Sequence, residues 1–111
     1  MIDNAAGLGI ILGVKAVEFV RTRIVYSESA FAELVLCRLP SPLPGSNHRF
    51  KYRLAYVVHG QCVLRYDNEA GKGDHRHYGG EESRYAFTDP DSLIQAFQAD
   101  IARWHRENSD S

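Results

Sequence analysis

His48-Arg49-Phe50-Lys51-Tyr52-Arg53-Leu54-Ala55-Tyr56-Val57-Val58 is the stretch that decides the fold. On an extended chain Phe50, Tyr52, Leu54, Tyr56 and Val58 fall on one face, and Arg49, Lys51 and Arg53 on the other. This period-two alternation marks a strand buried on one side, here with a basic outer face. A second run, Cys62 to Asp67, follows after His59, Gly60 and Gln61. A register slip of one residue would turn every side chain to the wrong face, so the pairing can be tested by arithmetic. A three-residue loop, or a bulge at Gly60, sets Val58 opposite Cys62, Tyr56 opposite Leu64 and Leu54 opposite Tyr66. The same register sets Arg53 opposite Asp67 and Ala55 opposite Arg65. A two-residue loop would put Leu54 against Arg65 and Tyr52 against Asp67, which mixes faces, so the longer connection is predicted.

Working outward, Pro40, Pro42 and Pro44 exclude helix and central strand and make a stiff connection. Upstream of it, Val17 to Tyr26 and Phe31 to Leu39 read as a hairpin around Ser27, Glu28 and Ser29. Downstream, Asn68 to Gly80 is polar and Gly-rich, and Arg84 to Phe87 is a short strand-like run. Thr88 and Asp91 have capping-box spacing, Pro90 falls in the first turn, and Leu93, Phe97, Ile101 and Trp104 mark one helical face. The expectation is an α+β fold: an antiparallel sheet of four or five strands with a C-terminal helix packed on its apolar face. Residues 14–108 form one domain in this reading. Residues 1–13 are a loosely ordered extension, with translation starting at Val14.

The chain has 111 residues, 13 Lys+Arg against 14 Asp+Glu and a formal charge of −1, which argues against an indiscriminate nucleic-acid coat. Cys37 and Cys62 lie in apolar stretches with no zinc spacing and read as reduced core residues of a cytosolic protein. The apolar run Ala5 to Val14 falls short of the roughly 20 residues a spanning helix needs, and Asp3 is out of place in a secretory signal. The cytoplasm, without membrane contact, is the expected location. The charge is unevenly spread. Residues 1–46 are neutral, residues 47–78 hold six basic and three acidic groups plus four of the five histidines, and residues 79–111 hold three basic and seven acidic groups. A localised basic surface is what a phosphate-bearing partner requires.

Tyr66 to Tyr78 gathers most of the reactive side chains. Gly71 and Gly73 flank Lys72, letting backbone amides and an ammonium approach an anion. His75 and His77 share one face of an extended backbone and suit general base and general acid near neutral pH, with Arg76 on the opposite side. Two other readings stay open: a metal site in which Asp74 or Asp67 joins the two histidines, and a solvated polar loop. Asp67 is either the cross-strand mate of Arg53 or the residue that orients Arg53 or a histidine. Arg49, Lys51, Arg53, Arg65 and Arg76 are the candidate phosphate contacts. Tyr78 and Tyr85 could stack on bases, whereas His59 and His105 look incidental.

Pro44 to Leu54 (PGSNHRFKYRL), Tyr66 to His77 (YDNEAGKGDHRH) and Tyr85 to Pro90 (YAFTDP) before a helix together resemble the TumE family of small bacterial toxin components. The resemblance spans roughly Lys15 to Trp104. It implies a toxin of a type II toxin–antitoxin system, neutralised by a helix-turn-helix antitoxin. Joined to the residues above, it leads to an expected RNA-directed nuclease. His75, His77, Lys72, Asp74 and Asp67 would be its catalytic groups, with no metal or cofactor. The competing expectation is a non-enzymatic nucleic-acid-binding module acting with the antitoxin.

Overall fold

The computed structural model describes residues 18–109. The expected extension 1–13 and the start at Val14 lie outside them. Six strands follow one another in a meander: β1 (Glu18–Ser27), β2 (Ala30–Arg38), β3 (Phe50–Val58), β4 (Gln61–Glu69), β5 (Gly73–Tyr78) and β6 (Glu81–Arg84). They lie side by side in sequence order in one antiparallel sheet. Among the described residues one helix, α1 (Pro90–Asn108), follows the strands. The class is α+β as expected, but the sheet has six strands rather than four or five. The difference lies in the polar stretch after Asn68. It continues β4 to Glu69, turns and returns as β5, while β6 ends at Arg84 where the strand-like run was expected to begin.

The β3–β4 register holds at Arg53/Asp67, Leu54/Tyr66, Ala55/Arg65 and Tyr56/Leu64, but Val58 faces Gln61 and Val57 faces Cys62. The turn is two residues long, with positive φ at both His59 (50°) and Gly60 (77°), which is the hairpin turn of matching twist. The ladder then shifts between Tyr56 and Val57, leaving Val63 as the extra residue. A two-residue turn plus a one-residue bulge gives the same offset as a longer loop, so four of the five expected pairs survive.

Helix α1 begins one residue later than the capping-box spacing suggests. Asp89, on extended backbone, caps it by accepting from the Ser92 amide at 2.8 Å, and Pro90 follows in the first turn. Leu93, Phe97 and Ile101 are buried against Tyr52, Leu54, Tyr56, Leu64 and Tyr66 of the sheet, with Trp104 packed at the edge of this core. Full burial of each such side chain contributes roughly 1.5–3 kcal/mol. Asp100 lies on the same buried face and pins the helix to the sheet. Arg76 donates to it from Nε (2.7 Å) and Nη2 (2.9 Å), and the Tyr66 hydroxyl donates at 2.7 Å. The Asp100 carboxylate is the main reason the Arg76 guanidinium binds its proton more tightly than usual. The Tyr66 phenol is raised above the ordinary range by burial and then by Asp100.

The helix leaves β1 uncovered on the face of Val20, Ile24 and Tyr26, which are exposed, and Val25 is exposed on the opposite face. Cys37, Leu39 and Leu43 form a second small buried cluster as the proline-rich connection folds back. Burial raises the Cys37 thiol pKa. The connection is fixed by Leu39 N–H to Arg49 O (2.8 Å) and by Gly71 N–H to Pro44 O (2.8 Å), which ties it to the β4–β5 turn. Among the described residues no helix is long and apolar enough to cross a membrane.

Candidate functional site

The odd-numbered residues of β4 and β5 point away from α1, because Tyr66 and Arg76 point towards it. Two cross-strand rows therefore cross the helix-free face: Arg53, Asp67, His75, Arg84 and, beside it, Ala55, Arg65, His77, Glu82. Directly opposed side chains in a sheet stand about 5 Å apart, and in the second row Arg65 meets His77 and His77 lies beside Glu82. The expected co-facing of His75 and His77 is present. Asp67 is the register partner of Arg53, yet its carboxylate lies 3.2 Å from Arg65 Nε.

The partners of the two imidazoles assign their hydrogens. His77 Nε2 is 3.0 Å from Arg65 Nη2, and a guanidinium only donates, so this nitrogen is the acceptor. His75 Nε2 is 3.0 Å from the Lys72 carbonyl, which only accepts, so this nitrogen carries a hydrogen. His75 Nδ1 is buried and 3.1 Å from Glu82 Oε2, without the geometry of a hydrogen bond. Glu82 Oε2 also lies 3.7 Å from His77 Nε2 and 3.6 Å from Lys72 Nζ. The arrangement thus holds one donor and one acceptor imidazole around a single carboxylate.

Asp74 is on the other face and does not join the histidine pair. Its Oδ2 accepts from the Tyr52 hydroxyl at 2.6 Å and from His48 Nε2 at 2.9 Å, while His48 Nδ1 accepts the Phe50 amide at 3.1 Å. Burial, followed by the Asp74 hydrogen bond, pushes the Tyr52 phenol far above its ordinary pKa. Both nitrogens of His48 are engaged, so the Tyr52–Asp74–His48 group is a clasp. His48 stacks on Phe87 with ring centroids 4.1 Å apart, which extends the clasp to the segment between β6 and α1. Arg76 is likewise on the helix side, held by Asp100. Among the described residues no group of three His, Cys, Asp or Glu is placed to hold a metal ion.

Asn68 joins the two faces. It is only 2% exposed and in phase with Leu64 and Tyr66. Its Oδ1 accepts the Tyr52 amide at 3.0 Å and its Nδ2 donates to Phe50 O at 2.7 Å, continuing the ladder where backbone pairing of β3 with β4 has stopped at Asp67. Lys51 Nζ donates to Asn68 O at 2.7 Å, while Arg49 and Arg53 are exposed.

Beside the clasp a cleft of about 550 Å³ opens at the end of the sheet. Gly45, Gly71, Gly73, Lys72, Arg84, Tyr85 and Phe87 are among the residues that line it. Gly45 and Gly71 have φ of 84° and 76°, a conformation that favours glycine, and this lets the proline-rich connection and the β4–β5 turn meet. His48, Tyr52 and Phe87 were missing from the sequence-based site. The available signals were Asp74 in phase with the inward Arg76, and a buried tyrosine hydroxyl that needs a partner.

A family model described as "Toxin TumE" matches residues 13–105. No curated protein and no solved structure matches the chain.

Proposed function

The chain belongs to the TumE toxin family, and we propose that in this role it is an RNA-directed nuclease that needs no metal, paired with a helix-turn-helix antitoxin in a type II system. The supporting observation is the pair of oppositely assigned imidazoles on one sheet face, His77 Nε2 as acceptor and His75 Nε2 as donor, flanked by Arg53, Arg65 and Arg84. In this reading a phosphate draws Arg65 away from His77. The freed Nε2 takes the proton of a 2′-hydroxyl, the resulting oxygen attacks phosphorus, and the bond to the 5′-oxygen breaks. His75, an imidazolium in this reading, then gives its Nε2 proton to the leaving oxygen and becomes neutral, leaving a 2′,3′-cyclic phosphate and a free 5′-hydroxyl. Lys72 and the arginines offset charge on the phosphoryl oxygens. Asp67 positions Arg65, and Asp74 positions β5 through the clasp. Each acid or base step of this kind contributes roughly 10²- to 10⁴-fold.

Purified protein incubated with total RNA should cleave it equally with and without EDTA. Growth arrest should be lost in a His75→Ala/His77→Ala double variant, and a double variant as toxic as the parent would remove the pair from the mechanism. A second reading, a non-enzymatic nucleic-acid-binding module acting with the antitoxin, draws on one observation: His75 Nδ1 is buried while Nε2 is already bonded to the Lys72 carbonyl. That reading expects RNA binding without cleavage products.

A further inference from the structure

The cleft beside Lys72 has no task in the proton transfers, yet its lining has a definite chemistry. Arg84 is exposed, and among the described residues no carboxylate lies within ion-pair distance of it. Among the same residues the carboxylate beside Lys72 is that of Glu82, at 3.6 Å. The Oδ2 atom of Asp74, the carboxylate lining the cleft, is engaged by two donors, so the lysine and arginine set the sign of the mouth. An anion fits and a free metal cation does not. About 550 Å³ is far more than a phosphate needs and lies within the usual range of small-molecule sites, about 300–1,000 Å³. The remaining lining carries three ring-bearing residues, His48, Tyr85 and Phe87, among small and polar ones. Tyr85 meets Tyr66 edge to face at 5.0 Å and Phe87 stacks on His48, so both rings are fixed by aromatic contacts. Rigid rings beside cations are the elements with which proteins hold unpaired nucleotides.

We infer that this cleft seats one nucleotide of the bound RNA strand, its phosphate on Lys72 and Arg84 and its base against the wall of Tyr85 and Phe87. The inference rests on the RNA-directed reading above. Arg84 is the link between the two regions, because it lines the cleft and is also the register partner of His75. A strand seated there passes directly onto the histidine rows.

The test uses the full chain and a fluorescent 2′-O-methyl oligonucleotide, which lacks the hydroxyl that cleavage requires, read by anisotropy across a salt series. AMP and inorganic phosphate are the competitors. Arg84→Glu removes the cation, and Ala86→Trp fills the cleft without changing charge. Both positions are exposed, and unchanged circular dichroism and melting confirm that the fold is kept. Each variant should bind the oligonucleotide roughly tenfold or more weakly, and Arg84→Glu should flatten the log–log salt slope by about one to two. AMP should displace the oligonucleotide at far lower concentration than phosphate does. Parent-like affinity in both variants overturns the inference, whether or not RNA is cleaved. So does phosphate competing as well as AMP, or AMP binding with no oligonucleotide binding, which would name a free nucleotide as the occupant. Binding that depends on Arg84 in a protein that cleaves no RNA supports the cleft and overturns the nuclease reading alone.

Discussion

Replacing Asn68 with leucine tests the most specific structural element of the site. Leucine has the same branched heavy-atom skeleton as asparagine, so the change deletes two hydrogen bonds rather than opening a cavity. The Tyr52 amide and the Phe50 carbonyl lose their partners at 3.0 and 2.7 Å in a place without solvent. Each unsatisfied buried group costs about 1–3 kcal/mol, and the better transfer of leucine into the core returns about 1–2 kcal/mol. Two such groups cost about 2–6 kcal/mol, so the net loss is about 0–5 kcal/mol and is centred on about 2.5 kcal/mol. At about 4–8 °C per kcal/mol for a domain of this size, that central value lowers the melting midpoint by roughly 10–20 °C. Urea unfolding should show a lower midpoint with an unchanged slope, and amide exchange at Tyr52 should accelerate before global unfolding. Asn68→Asp separates the two bonds. It keeps an acceptor for Tyr52 but, when ionised, sets a carboxylate oxygen against the Phe50 carbonyl, so its stability should recover on acidification. A leucine variant within about 0.5 kcal/mol of the parent, with parent-like amide exchange at Tyr52, would refute the view that this amide substitutes for the missing ladder.

Arg76→Met should destabilise by about 1.5–3 kcal/mol, since it leaves a mostly buried Asp100 without its charged donor, and in a double-mutant cycle with Asp100→Leu the two losses should not add. Tyr52 and Tyr66 have folded pKa values raised by burial, so the native state keeps protons that the unfolded chain releases above its tyrosine pKa near 10. Their contribution to stability is complete below that pH and falls above it by up to about 1.4 kcal/mol per pH unit per tyrosine, so alkaline denaturation should be less steep in Tyr52→Phe. His59→Asn should stabilise by up to about 1 kcal/mol in urea melts, because asparagine suits the positive φ of 50° better than histidine.

The parts of the fold legible in the sequence are those where a single apolar face dictates the pattern. β3 and β4 pair as expected because Leu54, Tyr56, Leu64 and Tyr66 admit one register. β5 is not legible in this way, because its inward residues are Asp74, Arg76 and Tyr78. Their partners are His48 and Tyr52, Asp100 and Tyr66, and Glu107, with Asp74 and His48 lying 26 residues apart. β6, Glu81–Arg84, is an exposed edge with no apolar residue to read. The histidine pair was found by spacing, which reports direction along one strand. The clasp and the cleft depend on which strands neighbour which, and spacing along one segment carries no such information. Asn68 and Asp100 did leave a mark: each is a polar residue in phase with a buried row.

The sheet order β1 to β6 has a kinetic consequence. Each strand pairs with the one made just before it, so loop closure is short at every step and the chain can assemble hairpin by hairpin as it leaves the ribosome. Only the cover is delayed. Tyr52, Leu54, Tyr56, Leu64 and Tyr66 are synthesised before Leu93, Phe97 and Ile101, and the pinning carboxylate Asp100 comes later than every strand. The nascent protein therefore passes through an open, uncovered sheet, and docking of the last nineteen-residue helix is the event that completes the core.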